Sequence, residues 1–135
     1  MNGSDSVRHL AVKVVMMPRD TNPMGTIFGG VILSYIDQAG VVGAVYEAAK
    51  NSWPRRVLVT VAMNAVDFHE PVFVGDVVSF WTEVKKVGRT SITMHVTVES
   101  ERVGATVKLT QADVVYVAID PFSSVRKTLP IREVE

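Results

Sequence analysis

The feature that most constrains this chain is a run from Ile27 to Ala49 that is apolar almost throughout yet carries Asp37 and Gln38 at its centre. The run is about long enough to cross a bilayer. Glu47 stands near its end, however, and Gly29, Gly30, Gly40 and Gly43 punctuate it. A carboxylate and an amide at mid-membrane would be costly. The composition fits a helix buried inside a globular protein better. Such a helix is apolar nearly all round, so more than one surface has to cover it.

The flanking sequence supplies one of those surfaces. His9 to Met16 reads as a strand, and residues 17–26 form a loop rich in turn formers. The helix runs roughly from Phe28 to Lys50 and ends at Ser52, Trp53 and Pro54. Strands follow over Arg56 to Phe68, Asp76 to Val87, Ser91 to Ser100 and Thr106 to Ile119, with turns at Gly88-Arg89 and near Val103-Gly104. In the third of these, Ile92, Met94, Val96 and Val98 alternate with Thr93, His95, Thr97 and Glu99, the pattern of a half-buried antiparallel strand. His95 reads there as merely exposed. An antiparallel sheet curled round one helix is an α+β domain. One domain over 1–135 is expected, with a polar, loosely attached tail over 121–135. The sheet covers one side of the helix, and a second copy of the chain is the economical cover for the other.

Several function classes drop out on composition. Fourteen basic and fourteen acidic residues cancel, which leaves no broad positive field for nucleic acid. With no cysteine there is no disulfide, thiolate zinc site or cysteine nucleophile. His9, His69 and His95 are too scattered for ligand spacing, so no metal is expected. The start of the chain lacks the basic and apolar segments of a secretory signal, and the expected location is the cytoplasm.

The candidate chemistry lies in Asn22-Pro-Met-Gly-Thr-Ile-Phe-Gly-Gly-Val-Ile-Leu-Ser-Tyr-Ile-Asp37. The first turn of a helix leaves backbone N–H groups unpaired and partially positive. Gly29 and Gly30 would let a ligand oxygen approach them, an oxyanion-hole arrangement, though two glycines also serve tight packing on a sheet. Asp37 is a carboxylate in the most apolar helix of the chain, poised as a general base or nucleophile unless it caps a partner's backbone or pairs with an arginine. Eight residues of helix separate Gly29 from Asp37 by about 12 Å. If both serve one carbonyl they must come from different chains. His69, two residues after Asp67 on a strand, could form a dyad with it or simply end the strand near the ligand. Lys85, Lys86 and Arg89 flank a turn and are either phosphate contacts or a solvated hairpin. No Gly-x-Gly-x-x-Gly or Walker loop occurs.

The segment Gly25 to Asp37, preceded by Pro-Arg-Asp-Thr-Asn, closely resembles the motif of the hotdog acyl-CoA thioesterases, nearest to the bacterial YciA-like and mammalian cytosolic acyl-CoA hydrolases. The resemblance continues through Asp67-Phe-His-Glu-Pro-Val-Phe-Val-Gly-Asp76, the Gly88-Arg-Thr-Ser turn and Tyr116-Val-Ala-Ile-Asp-Pro. It implies a hotdog fold, self-association as a dimer or a trimer of dimers, and acyl-CoA bound between subunits without a separate cofactor. It maps the polarising glycine N–H onto Gly29 or Gly30 and the carboxylate onto Asp37. Where relatives often carry Asp or Asn before Phe-Gly-Gly, this chain has Thr26, which leaves the burden on Asp37. Val41 replaces a hydroxyl found one turn after the carboxylate in some relatives, so Asn22 or Thr26 is left to hold the water. Substrate contacts are expected from His69, Lys85, Lys86, Arg89, Thr90 and Ser91.

Two other readings remain. A hotdog hydroxyacyl dehydratase needs a histidine beside its carboxylate, and Met17 to Lys50 contains none, leaving only His69. A non-catalytic acyl-CoA-binding module would share the pocket without needing Asp37.

Overall fold

A computed structural model describes residues 8–133. Strand β1 (His9–Val15) leads through a short 3-10 turn (Pro18–Asp20) to helix α1 (Gly29–Lys50). Strands β2 (Val57–Phe68), β3 (Val77–Val87), β4 (Ser91–Arg102) and β5 (Ala105–Ile119) follow. They form one antiparallel sheet in the order β1-β3-β4-β5-β2, so β1 and β2 are its edges. The expected sheet laid on one long helix is present, with element ends within two residues of those read from the sequence.

The alternation in β4 sets the core. Ile92, Met94, Val96 and Val98 are buried and meet Phe80, Val114 and Tyr116 on the neighbouring strands and Ile32, Ile36 and Ala39 on the helix. Small residues decide how closely the helix can lie. A Cβ at Gly43 would stand 2.2 Å from Thr82 Oγ1, and one at Gly40 would stand 2.0 Å from the Tyr116 hydroxyl. Neither position has room for a side chain, so both glycines are spacers between helix and sheet.

Among the described residues, only one side of the helix is covered. Phe28, Val42, Val45 and Tyr46 are exposed, so the all-round apolarity read in the sequence remains half unburied within one chain. Strand β2 adds a second open surface. It is a 12-residue edge strand with bulges at Thr60/Ala62 and Asn64/Asp67, and Val57, Val61 and Phe68 are exposed along it. Its outer edge is a template for pairing with another strand. No helix among the described residues is long and apolar enough to cross a membrane.

The tail departs from expectation. It is not loose over the described residues: Leu129 N–H donates to Ala118 O (2.9 Å) and Ile131 N–H donates to Arg89 O (2.9 Å). Arg56 donates to the carbonyls of Pro130 (2.8 Å) and Glu133 (2.7 Å), and Ile131 is buried. A short Leu-Pro-Ile segment within a polar stretch supplies the apolar anchor.

Candidate active site

The start of α1 is built by a chain of backbone contacts. Phe28 N–H donates to Asp20 O (3.0 Å) and Ile27 N–H to Val72 O (2.8 Å), while Thr26 bridges to Phe73. Asn22 shapes the loop before it. Its Oδ1 accepts from the N–H groups of Met24 (2.9 Å) and Thr26 (3.2 Å), and its Nδ2 donates to Thr26 Oγ1 (2.8 Å). Both ends of the carboxamide are therefore engaged, and Asn22 acts by holding Thr26.

Among the described residues, the N–H groups of Gly29 and Gly30 have no hydrogen-bond partner, and the first turn carries no acidic side chain to offset its partial positive charge. The two glycines, interchangeable in the sequence, open onto different pockets. Gly29 lines one of about 270 Å³ together with Thr26, Phe68 and His69. Gly30 lines another of about 340 Å³ with Asp20, Ser34 and Gln38. A Cβ at Gly29 would touch the Phe68 ring at 3.4 Å, whereas Gly30 faces open space.

Asp37 sits two turns further along, half-buried. Thr60 Oγ1 on β2 donates to its Oδ1 at 2.7 Å, and the Tyr116 hydroxyl donates to its backbone carbonyl at 2.6 Å. Burial, and then the Asp37 charge and hydrogen bonding, push the Tyr116 phenol far above its ordinary value, so it remains a donor at any working pH. Among the described residues no arginine or lysine pairs with Asp37. The result is a carboxylate oriented by one hydroxyl, with its other oxygen open to a ligand or a water. Thr60 was missed by sequence reasoning. The available cue was a hydroxyl in a valine-rich strand, but nothing in the sequence says which strand residue reaches the helix. Thr60 thus places a hydroxyl against Asp37, whereas Val41 offers none.

The remaining candidates separate. His69 lies just beyond β2 and lines the Gly29 pocket, with its N–H donating to Leu109 O (2.8 Å). Asp67 accepts from Gln111 Nε2 (3.1 Å), so the Asp67–His69 dyad does not form. β2 ends at Phe68, so the strand alternation that would put His69 on the same side as Asp67 does not extend to it. Lys85 is drawn away from the hairpin onto Asp113, whose other oxygen meets His95 Nδ1 at 2.7 Å. His95 is thus paired and partly covered, contrary to the reading of an exposed histidine, because β3, β4 and β5 place these three side chains together on the face away from the helix. Burial alone would raise the Asp113 carboxyl, but hydrogen bonds and charge from Lys85 and His95 outweigh it and hold it below its ordinary value. Lys86 and Arg89 are exposed, and Thr90 and Ser91 are half-buried. This hairpin stands at the far end of the helix from Gly29, beside a pocket of about 110 Å³ whose walls include Ala48, Trp53, Ile92 and Ile131, with Arg55 and Arg56 also lining it. Among the described residues no group of three or more His, Asp or Glu could hold a metal ion.

Comparison with known proteins bears on this geometry. The family model "Thioesterase superfamily" matches residues 24–106, from the loop before Gly29 through β4. The chain is 38% identical to the acyl-CoA thioester hydrolase YciA of Salmonella typhimurium over 91% of each chain. Among solved structures, a hexameric hotdog-fold thioesterase of Campylobacter jejuni superposes with a TM-score of 0.76 at 42% identity, over 90% of this chain and 89% of that one. A hexameric broad-specificity acyl-coenzyme A thioesterase, solved as an aspartate-to-alanine mutant, superposes with a TM-score of 0.75 at 35% identity, over 90% of this chain and 86% of that one. The sheet order and central helix are those of the hotdog fold.

Proposed function

The chain belongs to the thioesterase superfamily, and from that membership and the site we infer that it is an acyl-CoA thioester hydrolase, releasing a free carboxylic acid and CoA. The observation that carries the reading is Asp37, a carboxylate that has no cation beside it among the described residues, oriented by Thr60 on a helix whose first glycine N–H groups find no partner among those residues.

The division of labour follows from distance. Gly29 donates to the thioester oxygen, where negative charge grows as the carbonyl carbon becomes tetrahedral. Asp37 either takes a proton from a water that attacks that carbon, giving the acid directly, or attacks it itself, giving a mixed anhydride that water then hydrolyses to the acid. In either route the C–S bond breaks, and the sulfur leaves as the CoA thiol after protonation. Gly29 and Asp37 are about 12 Å apart on one helix, so each site draws the glycine from one chain and the aspartate from another. The uncovered helix face and the open β2 edge support self-association, and relatives at 42% and 35% identity are hexamers. We assign this chain a hexameric assembly, built as a trimer of dimers. Thr26 lines the thioester pocket and is held by Asn22. His69 contacts the acyl or pantetheine portion from the same pocket. Lys86 and Arg89, with Thr90 and Ser91, lie at the opposite end of their own helix, so in this reading they meet the CoA phosphates of a site completed by another chain. The reaction calls on no separate cofactor.

A dehydratase reading would make His69 the proton shuttle, and its place in the Gly29 pocket is the observation in its favour. Its expected carboxylate partner, Asp67, is engaged elsewhere.

Release of free thiol from acyl-CoAs of graded chain length tests the proposal. Turnover with at least one length class is expected. Tight binding of acyl-CoA without thiol release would make the protein a binding module.

A further inference from the structure

The N–H groups at the helix start are useful only if they are held still, and no side chain caps them. Beside the Asp20 carbonyl that holds Phe28 N–H, their fixed support is the loop 69–76. Val72 O in that loop accepts from Ile27 N–H at 2.8 Å, two residues before Gly29, and Pro71 and Val72 form a wall of the Gly29 pocket. The loop in turn needs an anchor.

Arg102, at the end of β4, reaches it from the far side of the sheet end. Its Nη2 donates to Asp76 Oδ2 at 2.7 Å and to Pro71 O at 2.9 Å, and its Nε lies 3.3 Å from Asp76 Oδ1. Its guanidinium also lies 5.4 Å from the centre of the Phe73 ring. Asp76 completes the tie by accepting from Phe73 N–H at 2.9 Å. One planar fork therefore joins both ends of the loop, Pro71 and Asp76, to a core strand. A lysine, with a single ammonium, cannot make the two-sided contact to Asp76 and reach Pro71 at the same time.

We propose that Arg102 is a positioning residue for the hydrolysis: by clamping the loop 71–76 it sets the place of Val72, Ile27 and hence the Gly29 N–H. The proposal rests on the hydrolase reading for its kinetic consequence but not for the clamp itself. Small displacements of a group remote from the chemistry can lower rates by up to about a hundredfold.

The test compares Arg102→Ala and Arg102→Lys with the wild-type assembly, measuring thiol release from acyl-CoA and amide exchange residue by residue. Arg102→Ala should lower kcat about tenfold or more with KM within about twofold, the pattern of a contact that matters in the transition state. Exchange at the Ile27 amide should quicken while β4 and β5 amides stay protected. Arg102→Lys should recover only part of both. Unchanged kcat with an unchanged Ile27 amide would overturn the proposal. So would a loss of protection spread evenly over the sheet, which would make Arg102 a general stabiliser. If the wild-type protein hydrolyses no acyl-CoA, the functional reading fails while exchange at Ile27 still decides the clamp.

Discussion

Gly40→Ala separates close packing from helix propensity, because the two push in opposite directions. In a helix interior alanine is favoured over glycine by about 1 kcal/mol. Here the new Cβ would lie 2.0 Å from the Tyr116 hydroxyl and 2.9 Å from the ring carbon bearing it. Tyr116 is fully buried, and its hydroxyl donates to Asp37 O at 2.6 Å. Forcing a methyl into such a core costs about 1–3 kcal/mol. Displacing the phenol from its acceptor leaves buried polar groups unpaired for a further 1–3 kcal/mol or so. The net expectation is a loss of about 1–5 kcal/mol, or about 4–18 °C in Tm for a chain of this length. Thermal melts at one fixed protein concentration measure it, since assembly makes Tm concentration-dependent. Adding Tyr116→Phe should recover part of the loss, because it removes the nearest atom but leaves ring carbons at 2.9 and 3.0 Å. A Gly40→Ala protein as stable as wild type or more so would refute the close-approach reasoning.

Two further outcomes follow from the site and the sheet. Thr60→Val keeps the shape but removes the hydroxyl that donates to Asp37, and it should lower kcat about tenfold, near 1.4 kcal/mol, with Tm within a few degrees. An unaltered kcat would leave Thr60 without a role in orienting the carboxylate. In acid, stability should hold down to about pH 4 and then fall. For Asp76, burial raises the carboxyl but is outweighed by the Arg102 hydrogen bond and charge, the Phe73 N–H and Ser100; Asp113 is held low as described, and both ordinarily titrate near 3.8. A lowered folded value stabilises above the ordinary value and is lost as pH falls through the lowered one. Asp76→Asn or Asp113→Asn should therefore flatten the acid limb of a Tm–pH curve, and an unchanged limb in both variants would contradict the assignment.

The helix was legible because an apolar run broken by a lone carboxylate fits little besides a buried helix, and β4 because its alternation has period two. Asp37 and the paired glycines were legible for the same reason: each violates its surroundings. Groupings made by strand register were not. Lys85, His95 and Asp113 come from three strands, and only the pairing of His95 with Asp113 across β4 and β5 brings them together. Thr60 reaches Asp37 next to a bulge that no pattern in β2 announces. The difference between Gly29 and Gly30 is likewise tertiary, since it depends on where Phe68 and His69 end β2. Nor does the sequence say that the Asn22 carboxamide turns back on its own loop, where its Oδ1 and one Nδ2 hydrogen are engaged. The tail misled because a polar average hid the apolar Leu129-Pro-Ile131 anchor.

The central claim is that the carboxylate of Asp37 makes hydrolysis go, and Asp37→Asn tests it most directly. The amide keeps the size and can still accept from Thr60, but it neither attacks a thioester nor deprotonates water at a useful rate. Thiol release from acyl-CoA should fall at least about a hundredfold, while melting temperature, assembly and acyl-CoA binding persist. Thr26→Ala, in the same assay, should cost much less. An Asp37→Asn protein that folds, assembles and hydrolyses acyl-CoA at near the wild-type rate would contradict the claim and reduce Asp37 to a structural residue.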